Sequence, residues 1–174
     1  MEVMEAIEGR RAVRRFQERE VPLEDLKKIL EAGIWAPSGS NVQPWEFIVV
    51  RERDNIERVK LVSPGLFGNP STVVVLCINT KLAKRGGKLG EESALMDISM
   101  AAQNMMLAAY SMGIGSCPVL SFNKTALKEL LNIPEHVEPV LILIFGYPRV
   151  WPKPPRRRPL KEVVHVEEYG RPFE

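Results

Sequence analysis

Apolar and polar positions along the chain alternate between helical and extended spacing. Apolar residues recur at helical spacing over residues 3–8, 23–33, 55–62, 91–112 and 123–131, which predicts helices there. Compact apolar or β-branched runs predict strands over residues 45–50, 72–78, 139–145 and 163–166. The polar, glycine-containing segment 81–90 is predicted to be a mobile loop. Interleaved helices and strands of this kind indicate an α/β or α+β fold.

The predicted helix over residues 91–112 is apolar on nearly all of its sides. Such a helix is buried, either at the centre of a domain or between subunits. Gly113 and Gly115 follow it and predict where it ends.

Composition narrows the class of protein. Apolar residues make up 45% of the chain and charged residues 26%, with a net charge of +2, as in an ordinary globular domain rather than a disordered one. We predict one domain over residues 1–174, in which residues 148–174 form a proline- and arginine-rich arm and a final strand.

Further features predict a cytoplasmic protein without a membrane partner. No apolar run approaches the roughly 18–20 residues that a membrane-spanning helix needs. Met1 is followed by Glu2 and Glu5 rather than by a basic segment, so no signal peptide is expected. Cys77 and Cys117 form no C-x-x-C pair and predict no disulfide framework.

Two basic clusters are candidates for phosphate binding, because guanidinium groups bind phosphate in bidentate geometry. The first cluster contains Arg10, Arg11 and Arg14, and the second contains Lys153, Arg156, Arg157 and Arg158. The first is also consistent with a solvated helix end. The second is also consistent with a polyproline tail that binds a partner domain. The sequence does not determine whether the clusters converge on one phosphate.

The segment over residues 36–44 is rich in hydrogen-bonding side chains: Ser38, Ser40, Asn41 and Gln43, with Gly39 between the serines. Amide side chains present a donor and an acceptor together, which suits the edge of a heterocycle. A plain turn has a similar composition. The density of polar groups between a helix and an apolar strand favours a binding loop.

Several motifs follow one another along almost the whole chain. They are RRAVRRF at 10–16, APSGSNVQPWEF at 36–47, Asp97, Gln103-Asn104, GIGS at 113–116, GYP at 146–148 and RRRPL at 156–160. In this order and spacing they resemble the nitroreductase family of FMN-dependent oxidoreductases. The resemblance implies an α+β fold with a mostly antiparallel central sheet flanked by helices. It also implies a homodimer with FMN at the subunit interface, in which helix 91–112 is the buried central helix.

The resemblance assigns the cofactor-binding residues in three groups. The residues that would hold the phosphate and ribityl chain are Arg10, Arg11, Ala12, Arg14, Arg156 and Arg157. The loop that would line the flavin, partly from the partner subunit, contains Pro37, Ser38, Gly39, Ser40, Asn41 and Gln43. The segment that would lie along the isoalloxazine ring contains Pro118, Val119, Leu120 and Ser121. No catalytic side chain and no metal site are expected, since flavin N5 carries the hydride.

The chain departs from the family pattern at three positions in these groups. Ala12 stands where serine is usual, and Ser121 stands where many members have glycine. Pro155 replaces a basic residue that often lies two positions before Arg157. Arg156 or Lys153 is expected to take over that role.

The implied function is transfer of a hydride from NADH or NADPH, through flavin N5, to a small acceptor by a ping-pong mechanism. Nitroaromatics, quinones and free flavin are the acceptors that the family suggests. The alternatives are a dehalogenating or flavin-fragmenting member of the family, or a flavin-binding protein without turnover. If the resemblance is set aside, the arginines remain candidates for nucleic-acid binding, although a net charge of +2 does not favour a nucleic-acid partner.

Overall fold

The computed structural model describes residues 1–173. Position 174, the last residue of the predicted arm, lies outside the described residues. The helices are α1 (Val3–Gly9), α2 (Leu23–Ile34), α3 (Arg53–Leu61), α4 (Thr80–Arg85), α5 (Gly87–Ser111) and α6 (Lys124–Leu130). The strands are β1 (Trp45–Val50), β2 (Thr72–Asn79), β3 (Gly115–Val119) and β4 (Val137–Gly146). Two short 3-10 turns cover Gly39–Asn41 and Leu160–Glu162.

The four strands form one antiparallel sheet in the order β1-β2-β4-β3. Val75 at the centre of β2 pairs with Ile48 of β1 on one side and Ile142 of β4 on the other. The sheet is therefore antiparallel throughout and not of the α/β type, because parallel neighbours would need crossover connections.

Helices cover both faces of the sheet. On one face, Val73, Val75 and Cys77 of β2 pack in a core that also contains residues of α3 and α6. On the other face, Val74 and Leu76 pack in a core that includes residues of α2 and α5. Alternate residues of β2 face opposite cores, so the residues on both faces of the strand must be apolar. This explains the uninterrupted apolar run in its sequence.

The prediction of a loop over residues 81–90 is wrong. Most of this segment is helical, since it contains the greater part of α4 and the beginning of α5. The Asn79 side chain caps α4 by accepting a hydrogen bond from the Leu82 N–H at 3.2 Å. Gly87 has a φ of 63° and marks the break between the two helices.

Strand β3 was not predicted, because Pro118 and the preceding Gly113 and Gly115 weaken the strand pattern. The structure places β3 at the edge of the sheet, paired only with β4, where a proline without an N–H is tolerated. The strand predicted over residues 163–166 is wrong. That segment follows a single 3-10 turn and makes only an isolated bridge, between His165 and Pro172.

Within residues 1–173, no helix is both long and apolar enough to cross a membrane.

Candidate functional site

The two basic clusters converge on one cavity of about 340 Å³. It is lined by Arg10, Arg11, Ala12, Arg14, Pro152, Lys153, Pro155 and Arg157. Five of these lining residues carry a positive charge and none carries a negative one. Concentrated positive charge in a concave site attracts anions. The tertiary structure thus brings together clusters that lie more than a hundred positions apart in the sequence.

The guanidinium groups at this cavity have unused hydrogen-bond donors. Arg11 Nη1 donates to the carbonyl oxygens of Glu8 and Arg10, the second at 2.8 Å, so that this side chain also closes the end of α1. The Nε atoms of Arg10 and Arg11 are buried and have no hydrogen-bond partner within residues 1–173. A buried donor without an acceptor costs about 1–3 kcal/mol. An anion in the cavity would remove that cost.

The structure separates the three consecutive arginines of the arm. Arg157 lines the cavity, whereas Arg156 does not. Arg158 turns to Glu162, with Nε 3.3 Å from the carboxylate and Nη2 donating to the backbone oxygen at 2.8 Å. The family's basic residue is replaced here by Pro155, and Arg156 or Lys153 was expected to take its place. Of these two, Lys153 lines the cavity.

Strand β3 leads from the cavity to the segment that the resemblance places along the flavin. The Val13 N–H donates to the Ser116 oxygen at 2.9 Å and joins the first arginine cluster to β3. Further along, the Gly65 N–H donates to the Ser121 oxygen at 3.1 Å. The exposed apolar side chains Phe67 and Leu120 belong to these two joined segments.

The loop that contains Gly65 and Phe67 also contacts the first arginine cluster, through Gly68. A side chain at Gly68 would place its Cβ 2.0 Å from the Arg14 carbonyl oxygen, and Gly68 has a φ of 77°. Only glycine permits this close approach of two backbones. Segment 64–68 therefore borders the site at both Arg14 and Ser121.

The polar loop has strained backbone. Ser40, Asn41 and Gln43 have φ values of 51°, 54° and 53°. For residues other than glycine, each left-handed conformation costs about 1–2 kcal/mol, and less for asparagine. The Gln43 N–H donates to Ser38 Oγ at 3.0 Å, which stabilises the turn from within. Strain concentrated in so few residues is typical of a functional loop.

The polar loop and the arginine cavity lie against opposite halves of α5. Gly39 approaches Ser93 and donates its N–H to Asp97 at 3.4 Å. Gly9, next to the first arginine cluster, approaches Tyr110 near the other end of the helix. At a rise of 1.5 Å per residue, Asp97 and Tyr110 are about 20 Å apart along the helix axis. The polar loop and the arginine cavity are therefore separated along α5 within one chain.

Comparisons with known proteins show the family of this chain. The sequence profile described as the nitroreductase family matches residues 7–63 and 58–147. The chain belongs to the nitroreductase family. A Methanothermobacter thermautotrophicus relative, whose name proposes an NADH dehydrogenase or NAD(P)H nitroreductase, is 37% identical over 154 residues, covering 85% of this chain and 78% of its own. A Thermus thermophilus relative named NADH dehydrogenase is 26% identical over 186 residues, covering 89% and 91% of the two chains.

The solved structures show the same fold. A nitroreductase family protein from Clostridium difficile superposes with a TM-score of 0.87 at 29% identity, covering 97% of this chain and 99% of its own. The nitroreductase fold is the α+β fold that the motifs implied. The chain is therefore an enzyme of the nitroreductase type. Its fold contains a four-stranded antiparallel sheet and the long helix α5.

The residues of this nitroreductase fit the FMN phosphate. Five cationic residues line the cavity, and two of them, Arg10 and Arg11, have an Nε atom without an acceptor. A phosphate dianion would supply negative charge and acceptor oxygens. Sequence reasoning assigned no part in this site to Pro152, which lines the cavity. Asp97 was recognised only as part of a motif and was given no role in the site. The sequence around it does not indicate its hydrogen bond to the distant residue Gly39.

Both cysteines of the nitroreductase are expected to be unreactive in the folded protein. Burial raises the pKa of the Cys77 thiol to about 12, and Glu46 and Glu138 act in the same direction. Burial also raises the pKa of Cys117, against the opposing effect of Arg14 and Arg10. The reactive thiolate forms only as the pH rises towards these raised values.

A disulfide reagent at pH 8 should therefore leave the native protein unlabelled over minutes and modify both thiols in denaturant. Rapid labelling of Cys117 in the native protein would contradict its burial beside the arginine cavity.

Proposed function

We propose that this nitroreductase binds FMN with its phosphate in the cavity lined by Arg10, Arg14 and Arg157, and that it uses NADH or NADPH as electron donor. The cavity carries this proposal, since it brings five cationic residues together. The backbone bond from Val13 to Ser116 ties the first arginine cluster to β3. The relatives named for NADH or NAD(P)H activity support the nicotinamide donor.

The functional unit in this proposal is a homodimer in which each FMN site takes one half from each subunit. The half-sites of one chain lie about 20 Å apart along α5, so a single chain does not bring the polar loop to its own arginine cavity. Leu95, Met96 and Met100 are exposed on α5 and supply an apolar face for a second copy. A two-fold interface across α5 would place the loop of each subunit near the cavity of its partner.

The arm beyond Pro148 gives further support. Nearly all of its residues are exposed, including the apolar side chains Leu160, Val163 and Tyr169. Trp151 packs edge-on against Tyr110 of α5, with ring centroids 5.1 Å apart, and holds the beginning of the arm against that helix. Apolar residues on an exposed arm of this length are better explained by burial against a second subunit than by solvation.

When bound, FMN would supply the chemistry of hydride transfer from NAD(P)H to a small acceptor such as a nitroaromatic, a quinone or free flavin. The chain's own residues hold and orient it. The arginine cavity fixes the phosphate end, and β3 positions the segment from Pro118 to Ser121 beside the ring. Phe67 and Leu120 present apolar surface at the edge of this site, which suits flat aromatic acceptors.

The test is anaerobic reduction of the FMN-loaded protein with NADH or NADPH in the absence of any acceptor. We expect the visible flavin bands to bleach, and to return when a quinone or nitroaromatic is added after the nicotinamide has been removed. Bleaching before an acceptor is present indicates two separable half-reactions, as ping-pong kinetics require.

Other outcomes identify the alternatives. If FMN binds but its visible bands do not bleach with NADH or NADPH, the protein is a flavin-binding protein without turnover or a specialised member of the family. Failure to bind FMN would overturn the proposed cofactor.

A further inference from the structure

Asp97 is a buried carboxylate to which the proposed chemistry gives no role. It lies on α5 and is 2% exposed. Its Oδ1 accepts the Gly39 N–H at 3.4 Å, and its Oδ2 accepts the Ser93 hydroxyl at 3.5 Å. No lysine or arginine within residues 1–173 forms an ion pair with it. A buried carboxyl group held by two long hydrogen bonds is not a general stabilising device, because burying a polar group is costly.

The polar loop needs an external contact to keep its conformation. Its other hydrogen bonds, such as Gln43 N–H to Ser38 Oγ at 3.0 Å and Gln43 Nε2 to the Asn41 oxygen at 3.3 Å, are internal. They move with the loop and do not fix it on the fold. Within residues 1–173, the bond from Gly39 to Asp97 is the one that ties the centre of the loop to α5.

Gly39 seats the loop directly on the helix at the same place. A Cβ at this position would lie 2.6 Å from Ser93 Oγ. The missing side chain therefore lets the Gly39 backbone come close enough to reach the carboxylate one helical turn further along. The strained conformations of Ser40 and Asn41 follow immediately after this contact.

We propose that Asp97 is a positioning residue: by accepting the Gly39 N–H, it holds the loop over residues 38–43 on α5 in the strained conformation that presents Asn41 and Gln43 to the flavin. The last step rests on the proposed function, whereas the anchoring of the loop does not. Asp97 touches neither the arginine cavity nor the segment over residues 118–121.

Three variants test this role: Asp97→Ala, Asp97→Asn and Ser93→Ala. Asp97→Ala removes the acceptor, whereas Asp97→Asn keeps an oxygen of the same shape for the Gly39 N–H. Ser93→Ala removes the second contact and leaves the Gly39 bond, so it is the matched control. Hydrogen exchange of the loop amides is measured on each protein without cofactor, and the dissociation constant for FMN is measured by titration.

We expect Asp97→Ala to speed exchange of the loop amides by about tenfold and to raise the FMN dissociation constant by about tenfold, as for the loss of one hydrogen bond to a charged group. Asp97→Asn and Ser93→Ala should stay within about threefold of the unmodified protein in both measurements. The exchange of β2 and β4 amides should not change in any variant.

Unchanged loop exchange in Asp97→Ala would overturn the proposal. So would faster exchange throughout the chain or a variant that does not fold, since Asp97 would then support the fold as a whole. If the unmodified protein does not bind FMN while Asp97→Ala still loosens the loop selectively, the anchoring role stands and the proposed cofactor fails.

Discussion

Substitution of Met96 by aspartate is expected to dissociate the proposed homodimer into monomers that remain folded. Met96 lies on α5 and is 61% exposed in one chain, where it forms an apolar face with Leu95 and Met100. A second subunit would bury this face, and an unpaired charge placed in a buried contact costs about 3–5 kcal/mol. The dimer dissociation constant should therefore rise at least a hundredfold. Sedimentation equilibrium over a range of concentrations measures it.

The matched control is Leu61→Asp. Leu61 is also an exposed apolar residue, but it lies at the end of α3, which packs on the opposite face of the sheet from α5. This variant should remain dimeric. Ala101 is not suitable for such a test, because it is fully buried in the core of its own chain. A Met96→Asp protein that is still dimeric at low concentration would show that α5 is not the interface.

Replacement of Arg157 by alanine is expected to weaken FMN binding by about 1.5–3 kcal/mol, or roughly ten- to a hundredfold, as for the loss of a charge-assisted hydrogen bond. Arg157 is the arginine of the arm that lines the cavity, opposite Arg10 and Arg14. Fluorescence titration of the cofactor-free protein with FMN gives the dissociation constant. The loss should be smaller with riboflavin, which lacks the phosphate.

Arg156→Ala is the control for this measurement, since it removes the same charge from the adjacent position. Arg156 is exposed and does not line the cavity, so its loss should change FMN affinity by less than about 0.5 kcal/mol. Equal losses in the two variants would mean that the arm acts through its overall charge. An unchanged affinity in Arg157→Ala would remove this residue from the phosphate site.

Local patterns in the sequence predicted much of the fold. Strand β1 was predicted with its observed bounds, Trp45–Val50, and β2 was predicted to within a residue, because its run of apolar residues is typical of a strand buried on both faces. The errors came where a local signal was weak or misleading. The glycines at the beginning of α5 resemble a loop, and the proline of β3 is tolerated only because that strand lies at the edge of the sheet.

The sequence by itself determined the family, through motifs that are written locally along the chain. The antiparallel α+β class followed from that resemblance, because apolar spacing alone left an α/β and an α+β fold open. The tertiary structure decided which arginine of the arm lines the cavity, that this cavity joins both basic clusters, and that Asp97 reaches Gly39. Each of these is a contact between positions far apart in the chain. Such contacts depend on the packing of α5 and the arm against the rest of the fold, which no local pattern records.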